Sequence, residues 1–489
     1  MKKILLIGLP ALLLSATSCV DSLSDYNVDP KSAVRVPAVT LVSTAERALA
    51  REVTTSSVNN NPFRLYVQYW AETTYFDESI YDIKTRQIDR NSWNQFYRGG
   101  GTTDPTIDAT GVLRNLLEAK NLITADASLD PKVKANQLAC IEVLAVYTWS
   151  VLVNEFGNVP YTEALDITKP LPKYDDAKTI YNALFTRLDV AITALDVSAE
   201  GLGGADLIYQ GDMSGWKKFA NSLKLRMALT IADDDQDRAK AYAAQAAPNV
   251  FASNADNATL DFVASTPNTH PVWEDLIQSG RKDFIGTSFF VDRLKALSDP
   301  RLPIYFKPVS GTTKFIGGSY GEGNVAANFS NAGTALEDPQ QPGVLESYSE
   351  VEFLLAEAAA RKLVAPGTEA THYASAVTAS IKEWGGSDAD AATYLAQPTV
   401  DYATATGGFK EKIGVQKWVA LYNQPTQAWT EWRRLDYPVL TKPEGALSDI
   451  PLRLTYPTPE GNVNGANYTA ASTAIGGDEV TTRIFWDKF

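Results

Sequence analysis

Cysteine and histidine are nearly missing from this chain of 489 residues, which holds two of each: Cys19 and Cys140, His270 and His372. Two histidines far apart in sequence exclude histidine-rich zinc sites and most imidazole-based catalysis. One cysteine beyond Cys19 leaves no disulfide framework, so stability must come from packing. Basic runs are absent and the formal net charge is −14, which removes nucleic acid as a partner, because phosphate binding needs a cationic face. No apolar run reaches the roughly 20 residues that cross a bilayer. Neither a P-loop nor a dinucleotide fingerprint occurs, and no cofactor or metal site is expected. Segments of low hydrophobicity are also missing, and with 45% hydrophobic residues the chain reads as ordered almost throughout.

What is present begins with Lys2 and Lys3, then an apolar run over residues 4–14 broken only by Gly8 and Pro10. The small residues Ser15, Ala16, Thr17 and Ser18 lead directly to Cys19. This is the pattern of a bacterial secretory signal, residues 1–18, cleaved before a cysteine that is then acylated. Each buried methylene adds about 0.8 kcal/mol, so several acyl chains on Cys19 make a durable membrane anchor. Residues 19–37 are polar and broken by Asn27, Asp29 and Pro30, and are read as a tether.

Beyond the tether the pattern is helical. Ile180, Leu184, Leu188, Ile192 and Leu195 form an i, i+4 stripe entered through Asp175 and Asp176. Trp216, Ala220, Leu223 and Met227 share a face with Ser214 as N-cap. Ser347 and Glu350 have capping-box spacing ahead of Val351, Leu354, Leu355 and Ala358. Tyr373, Val377, Ile381 and Trp384 precede the stop Gly385-Gly386. Residues 138–153 are apolar nearly all round, contain Cys140 as a small hydrophobe, and belong in a core. Strand-like material is confined to residues 301–315 and 481–486. The reading is a mostly α protein, residues 38–489, made of tetratricopeptide-like helical hairpins with minor β, although no clean period of about 34 residues is found. At this length a single core is unusual, since cores stop growing near ~250–300 residues, and two sub-cores or a helical array are expected.

Two long interruptions, about 59–103 and 264–341, give this scaffold an irregular, loop-rich face where binding is expected. In the first, Tyr66, Tyr69 and Trp70 sit at helical spacing and are assigned to the core, whereas Tyr75, Tyr81 and Trp93 lie among polar neighbours and are assigned to a ligand. In the second, Trp273, Arg281 and Phe284 are expected to converge with them on one groove, Arg281 bridging hydroxyls or carboxylates. Gly317-Gly318-Ser319-Tyr320-Gly321 fits the G-x-S-x-G pattern of a hydrolase nucleophile, but without a strand before or a helix after it Ser319 reads as part of a loop. Asp233, Asp234, Asp235 and Asp237 lack the Gly and distal Glu of a calcium loop and read as a solvated helix end.

Several strings, in order, carry a resemblance. They are Asn154-Glu155-Phe156-Gly157-Asn158-Val159-Pro160-Tyr161-Thr162-Glu163-Ala164, Ile208-Tyr209-Gln210-Gly211-Asp212 leading to Trp216-Lys217-Lys218-Phe219-Ala220-Asn221-Ser222-Leu223, Asp299-Pro300-Arg301-Leu302, Tyr348-Ser349-Glu350-Val351-Glu352-Phe353, Trp432-Arg433-Arg434-Leu435-Asp436-Tyr437-Pro438 and Phe485-Trp486-Asp487. With Cys19 they make the chain resemble the SusD/RagB family of nutrient-binding outer-membrane lipoproteins, in its SusD-like branch from Bacteroidetes. The resemblance implies four tetratricopeptide-like hairpins, an irregular ligand face, no fixed catalytic set, and partnership with a SusC-like TonB-dependent barrel. Asp21 and Asp25 resemble the acidic export signal of surface lipoproteins in that phylum. The expected function is capture of an oligomeric nutrient, glycan or peptide, at the outer membrane. The alternatives are a lipid-anchored hydrolase using Ser319 and a periplasm-facing scaffold whose helical hairpins bind proteins. The repeated motifs read as structural, with Gly157 ending a helix and Arg433 and Arg434 serving buried carboxylates or helix carboxyl ends.

Overall fold

The computed structural model describes residues 36–99, 111–364 and 367–489, so Cys19, the leader and nearly all of the tether lie outside the described residues. The longer helices are α1 (Ala38–Thr54), α2 (Ile88–Tyr97), α3 (Val112–Ala125), α4 (Pro131–Phe156), α5 (Ala177–Ala194), α6 (Met213–Thr230), α7 (Gln236–Ala246), α8 (Ser288–Ala296), α9 (Tyr348–Ala360), α10 (Glu369–Glu383), α11 (Asp388–Leu395), α12 (Phe409–Ala420) and α13 (Pro425–Leu435). Four helix pairs pack within themselves: α1 with α3, α4 with α5, α6 with α7, and α9 with α10. They join in series through α3 against α4, α5 against α6, and α6 against α9. A pair cannot bury its apolar stripe alone, and stacking the next pair on it completes the core.

Local chemistry sets the helix ends. The Asp130 carboxylate accepts the Lys132 and Val133 amides ahead of Pro131, and Gly157, at φ +80°, closes α4 by donating its N–H to the Val153 carbonyl at 2.9 Å. Asp176 caps α5 through the Thr179 amide. The cap of α6 is Asp212, two residues before the expected Ser214, whose amide it accepts. At α9 Ser347 accepts the Glu350 amide, but the Glu350 carboxylate turns inward to Arg226, at 2.6 and 2.7 Å, so the spacing does not produce a reciprocal box.

α4 is longer than the apolar run at 138–153. By length and composition it would cross a membrane, yet 89% of its most apolar window is buried by the other helices, as a core helix requires. Cys140 lies wholly inside, and burial pushes its thiol pKa up. A large apolar core runs through the array, and a smaller one gathers Phe353, Tyr373, Val377, Ile381, Tyr394 and Ile413 around α9 to α12.

Several buried charged groups are held in networks. Arg434 donates to both Glu357 oxygens and to Glu431, each at 2.5 Å, and Lys417 pairs with Glu431 at 2.9 Å. Burial alone would raise the Glu357 carboxyl; Arg434 and Arg361 instead hold it down at about 2. Arg433 donates to the Asn154 carbonyl at the end of α4 and to Leu452. The aspartates after α6 are engaged rather than solvated: Asp233 pairs with Arg361 and Lys410, Asp234 with Lys178 and Lys488, and Asp235 caps α7.

The β content is small and differs from expectation. β1 (Trp70–Glu72) pairs antiparallel with β3 (Phe284–Gly286), and β2 (Ala258–Leu260) with β4 (Gly343–Glu346). Residues 301–315 instead hold the helical turn Leu302–Tyr305, with Pro303 in its first turn, and one isolated bridge. No strand forms in residues 481–486.

Candidate functional site

The β1–β3 ladder is what joins the two irregular segments. Its register sets Glu72 opposite Phe284, and beyond it Thr73 donates its amide to the Asp283 carbonyl at 2.9 Å and its hydroxyl to the Lys282 carbonyl at 2.7 Å. Residues 72–75 and 281–284 therefore run side by side. They border a cleft of about 320 Å³ whose far wall is residues 56–59, the exit from α1.

Phe284 is anchored by the core, packing on Trp70 at 5.2 Å between ring centres. The Trp70 indole donates to the Tyr422 hydroxyl at 2.8 Å. Tyr75 stands at the rim and is 58% exposed, while Trp70 and Phe284 are buried. Two guanidiniums reach the cleft: Arg281 donates to Asp283 at 2.5 Å, and Arg86 is held by Glu78. On the far side Ser56 donates to Asp275 at 2.7 Å, and burial, reinforced by Glu274, raises the Asp275 carboxyl to about 6. Glu72 is buried, accepts the amide and hydroxyl of Ser79, and is pushed well above the ordinary range by burial and by its neighbour Glu78. An exposed ring beside fixed donors and acceptors suits a polyhydroxylated ligand, which needs a flat apolar face and a fringe of hydrogen bonds.

Of the six ligand-facing residues expected from sequence, Tyr75, Arg281 and Phe284 share this cleft. Tyr81 and Trp93 do not. Tyr81, 3% exposed and at φ +70°, packs edge-on against Tyr66 and borders a different depression. Trp93 is 9% exposed and forms the floor of a third. Their polar neighbours in sequence gave an outward signal that ring packing overrides. Trp273 is half-buried on the short helix Pro271–Trp273, apart from all three depressions. Ser56, Glu72, Arg86 and Asp275 were not singled out; the last three fall within the two flagged interruptions, whereas nothing in the sequence marks Ser56.

Ser319 is exposed in a loop with neither a preceding strand nor a following helix. Its amide donates to the Asn324 side chain, and Asn324 in turn donates to the Glu72, Ser319 and Glu322 carbonyls, clamping the loop to β1. The glycines serve close packing: a Cβ at Gly317 would meet the Thr287 carbonyl, and Gly321, at φ +77°, lies against Pro443. Gly318 has Ile285 and Asn324 so close that any side chain there would collide with them.

A family model described as "Starch-binding associating with outer membrane" matches residues 30–457. Among solved structures, a chitin-binding protein superposes with a TM-score of 0.77 at 26% identity, over 92% of this chain and 100% of its own. A chitin-binding SusD homologue from Flavobacterium johnsoniae gives 0.76 at 22% identity, over 92% and 98%. A SusD homologue from Bacteroides fragilis gives 0.75 at 22% identity, over 93% and 99%. The last two bear on the fold. No curated protein sequence matches.

Proposed function

The chain belongs to the SusD-like family, described as starch-binding and associating with the outer membrane, and from that premise we propose that it is a non-enzymatic surface lipoprotein that captures an oligosaccharide in the Tyr75–Arg281–Phe284 cleft. Residues 38–489 act as one unit, held to the membrane by acyl chains on Cys19, and hand the glycan to a SusC-like TonB-dependent barrel. The observation that carries this reading is the cleft itself, where one exposed ring stands beside two guanidiniums next to a strand pair fixed to the core. The chitin-binding relative supports a glycan over a peptide. Ser319, in a loop with neither a strand before it nor a helix after it, gives the hydrolase reading no support.

The test is binding of starch-type and chitin-type oligosaccharides to the protein and to its Tyr75→Ala variant. Loss of a stacking ring should weaken binding of the preferred glycan by about 1 kcal/mol, roughly fivefold or more. Because the ring is exposed, unfolding free energy should change by less than about 0.5 kcal/mol. Unchanged affinity for a glycan that does bind would remove this cleft as its site.

A further inference from the structure

The depression floored by Trp93 has a chemistry of its own. It measures about 500 Å³ and lies between α2, the turn at residues 160–172 and the segment 457–464. The Trp93 ring is fixed by Tyr97 at 4.9 Å and by Phe156, edge-on, at 5.0 Å between ring centres. Its indole N–H donates to no protein acceptor among the described residues. The neighbouring Asn94 is 7% exposed, and its side-chain nitrogen is buried without an acceptor. Buried donors are normally satisfied, so this one marks a missing partner.

Charge here reverses that of the chain as a whole. Against a net −14, the lining carries Arg90, Arg98 and Lys169 and one carboxylate, Glu460, which accepts the Tyr174 hydroxyl at 2.7 Å. Lys169 has Glu163 at 3.8 Å, and Arg90 donates to the Gln87 amide oxygen at 2.8 Å. Arg90 and Arg98 form no ion pair among the described residues. Prolines at 170, 172, 457 and 459 stiffen the walls.

We propose that this cleft is a second saccharide site, separate from the Tyr75 cleft and selective for sugar units that carry a carboxylate or sulfate. A guanidinium takes such an anion through two parallel hydrogen bonds, and the free Trp93 indole N–H and the Asn94 amide take ring hydroxyls. A neutral sugar leaves both guanidiniums unanswered, and a free inorganic anion leaves the indole and amide donors unused.

Calorimetry on the full-length protein in detergent tests this with three probes: hexagalacturonate, its neutral methyl ester, and a sulfated hexasaccharide. At least one acidic probe should bind tenfold or more tightly than the ester, with affinity falling as salt is raised. Arg98→Ala, an exposed substitution, should erase that preference without moving the melting temperature, while Tyr75→Ala should leave it intact. Which acid wins separates carboxylate from sulfate. The proposal is overturned if neither acid outbinds the ester, or if Arg90→Ala and Arg98→Ala both leave acidic binding unchanged. It is likewise overturned if Tyr75→Ala abolishes that binding, since the acid would then occupy the first cleft.

Discussion

His270 accepts the Val272 amide hydrogen on Nδ1 at 3.2 Å, which an imidazolium has no lone pair to do. The side chain is fully buried, and burial, with Arg64 and Arg51 nearby, lowers its pKa to about 3. The unfolded chain, with a histidine near the ordinary 6.5, binds a proton that the folded chain refuses between those values. Stability therefore falls as pH falls through that window, by up to about 2.7 kcal/mol between pH 6.5 and 4.5 at 1.36 kcal/mol per pKa unit. Asp275, raised to about 6, works the other way, since the folded state keeps its proton longer and stability is lost as pH rises from the ordinary aspartate value. His270→Gln should leave that second effect in place and remove the first. Urea unfolding at the two pH values should show the variant losing less stability on acidification than the parent, and equal losses would refute the assignment. At this scale the sequence was legible where a motif named its own partner type, as with Arg433 and Arg434. It was not legible at Asp233 and Asp234, whose cationic partners stand more than 50 residues away in the chain.

Between α5 and α6, the string at residues 208–212 is ordered by one side chain just ahead of it. Asp206, fully buried, accepts the amides of Ile208, Tyr209 and Gly211 at 2.9 Å each and the Trp216 indole N–H at 2.7 Å. Gly211 sits at φ +89°, where a side chain is strained. Asp206→Ala strands several buried donors and should cost at least about 3 kcal/mol. Asp212→Ala removes a single helix cap and should cost about 1 kcal/mol. Denaturant midpoints in the reverse order would show that the loop is held by something else. Helices such as α5 and α10 were legible because each repeats its stripe over several turns. The strands were not, because three or four residues give no period-2 signal, and β1 finds its partner more than 200 residues away.

As a whole the molecule is a series of helix pairs whose connections differ greatly in length, which is why no repeat period surfaced although the α-rich class did. The connection inside the first pair carries Tyr75, so the proposed ligand face is threaded through the scaffold rather than appended to it. A lipid-anchored reading predicts that Cys19→Ala leaves a folded protein that no longer fractionates with membranes in high salt when its barrel is absent. Retention would point to another attachment. It also predicts that detergent-solubilised outer membranes yield the protein together with a TonB-dependent barrel in near-equal amount; recovery alone, where a known pair survives, would argue for a free-standing binder. The buried helix α4 carries one more consequence, for biogenesis. An outer-membrane-associated chain crosses the inner membrane unfolded, and during that passage a segment apolar enough to span a bilayer risks lateral release into lipid. Glu142 is the one charge within residues 138–153, and such a charge at a helix centre opposes insertion by a few kcal/mol. On the exported reading, the carboxylate that pairs with Arg187 and Lys120 in the folded protein also opposes release of the chain into lipid.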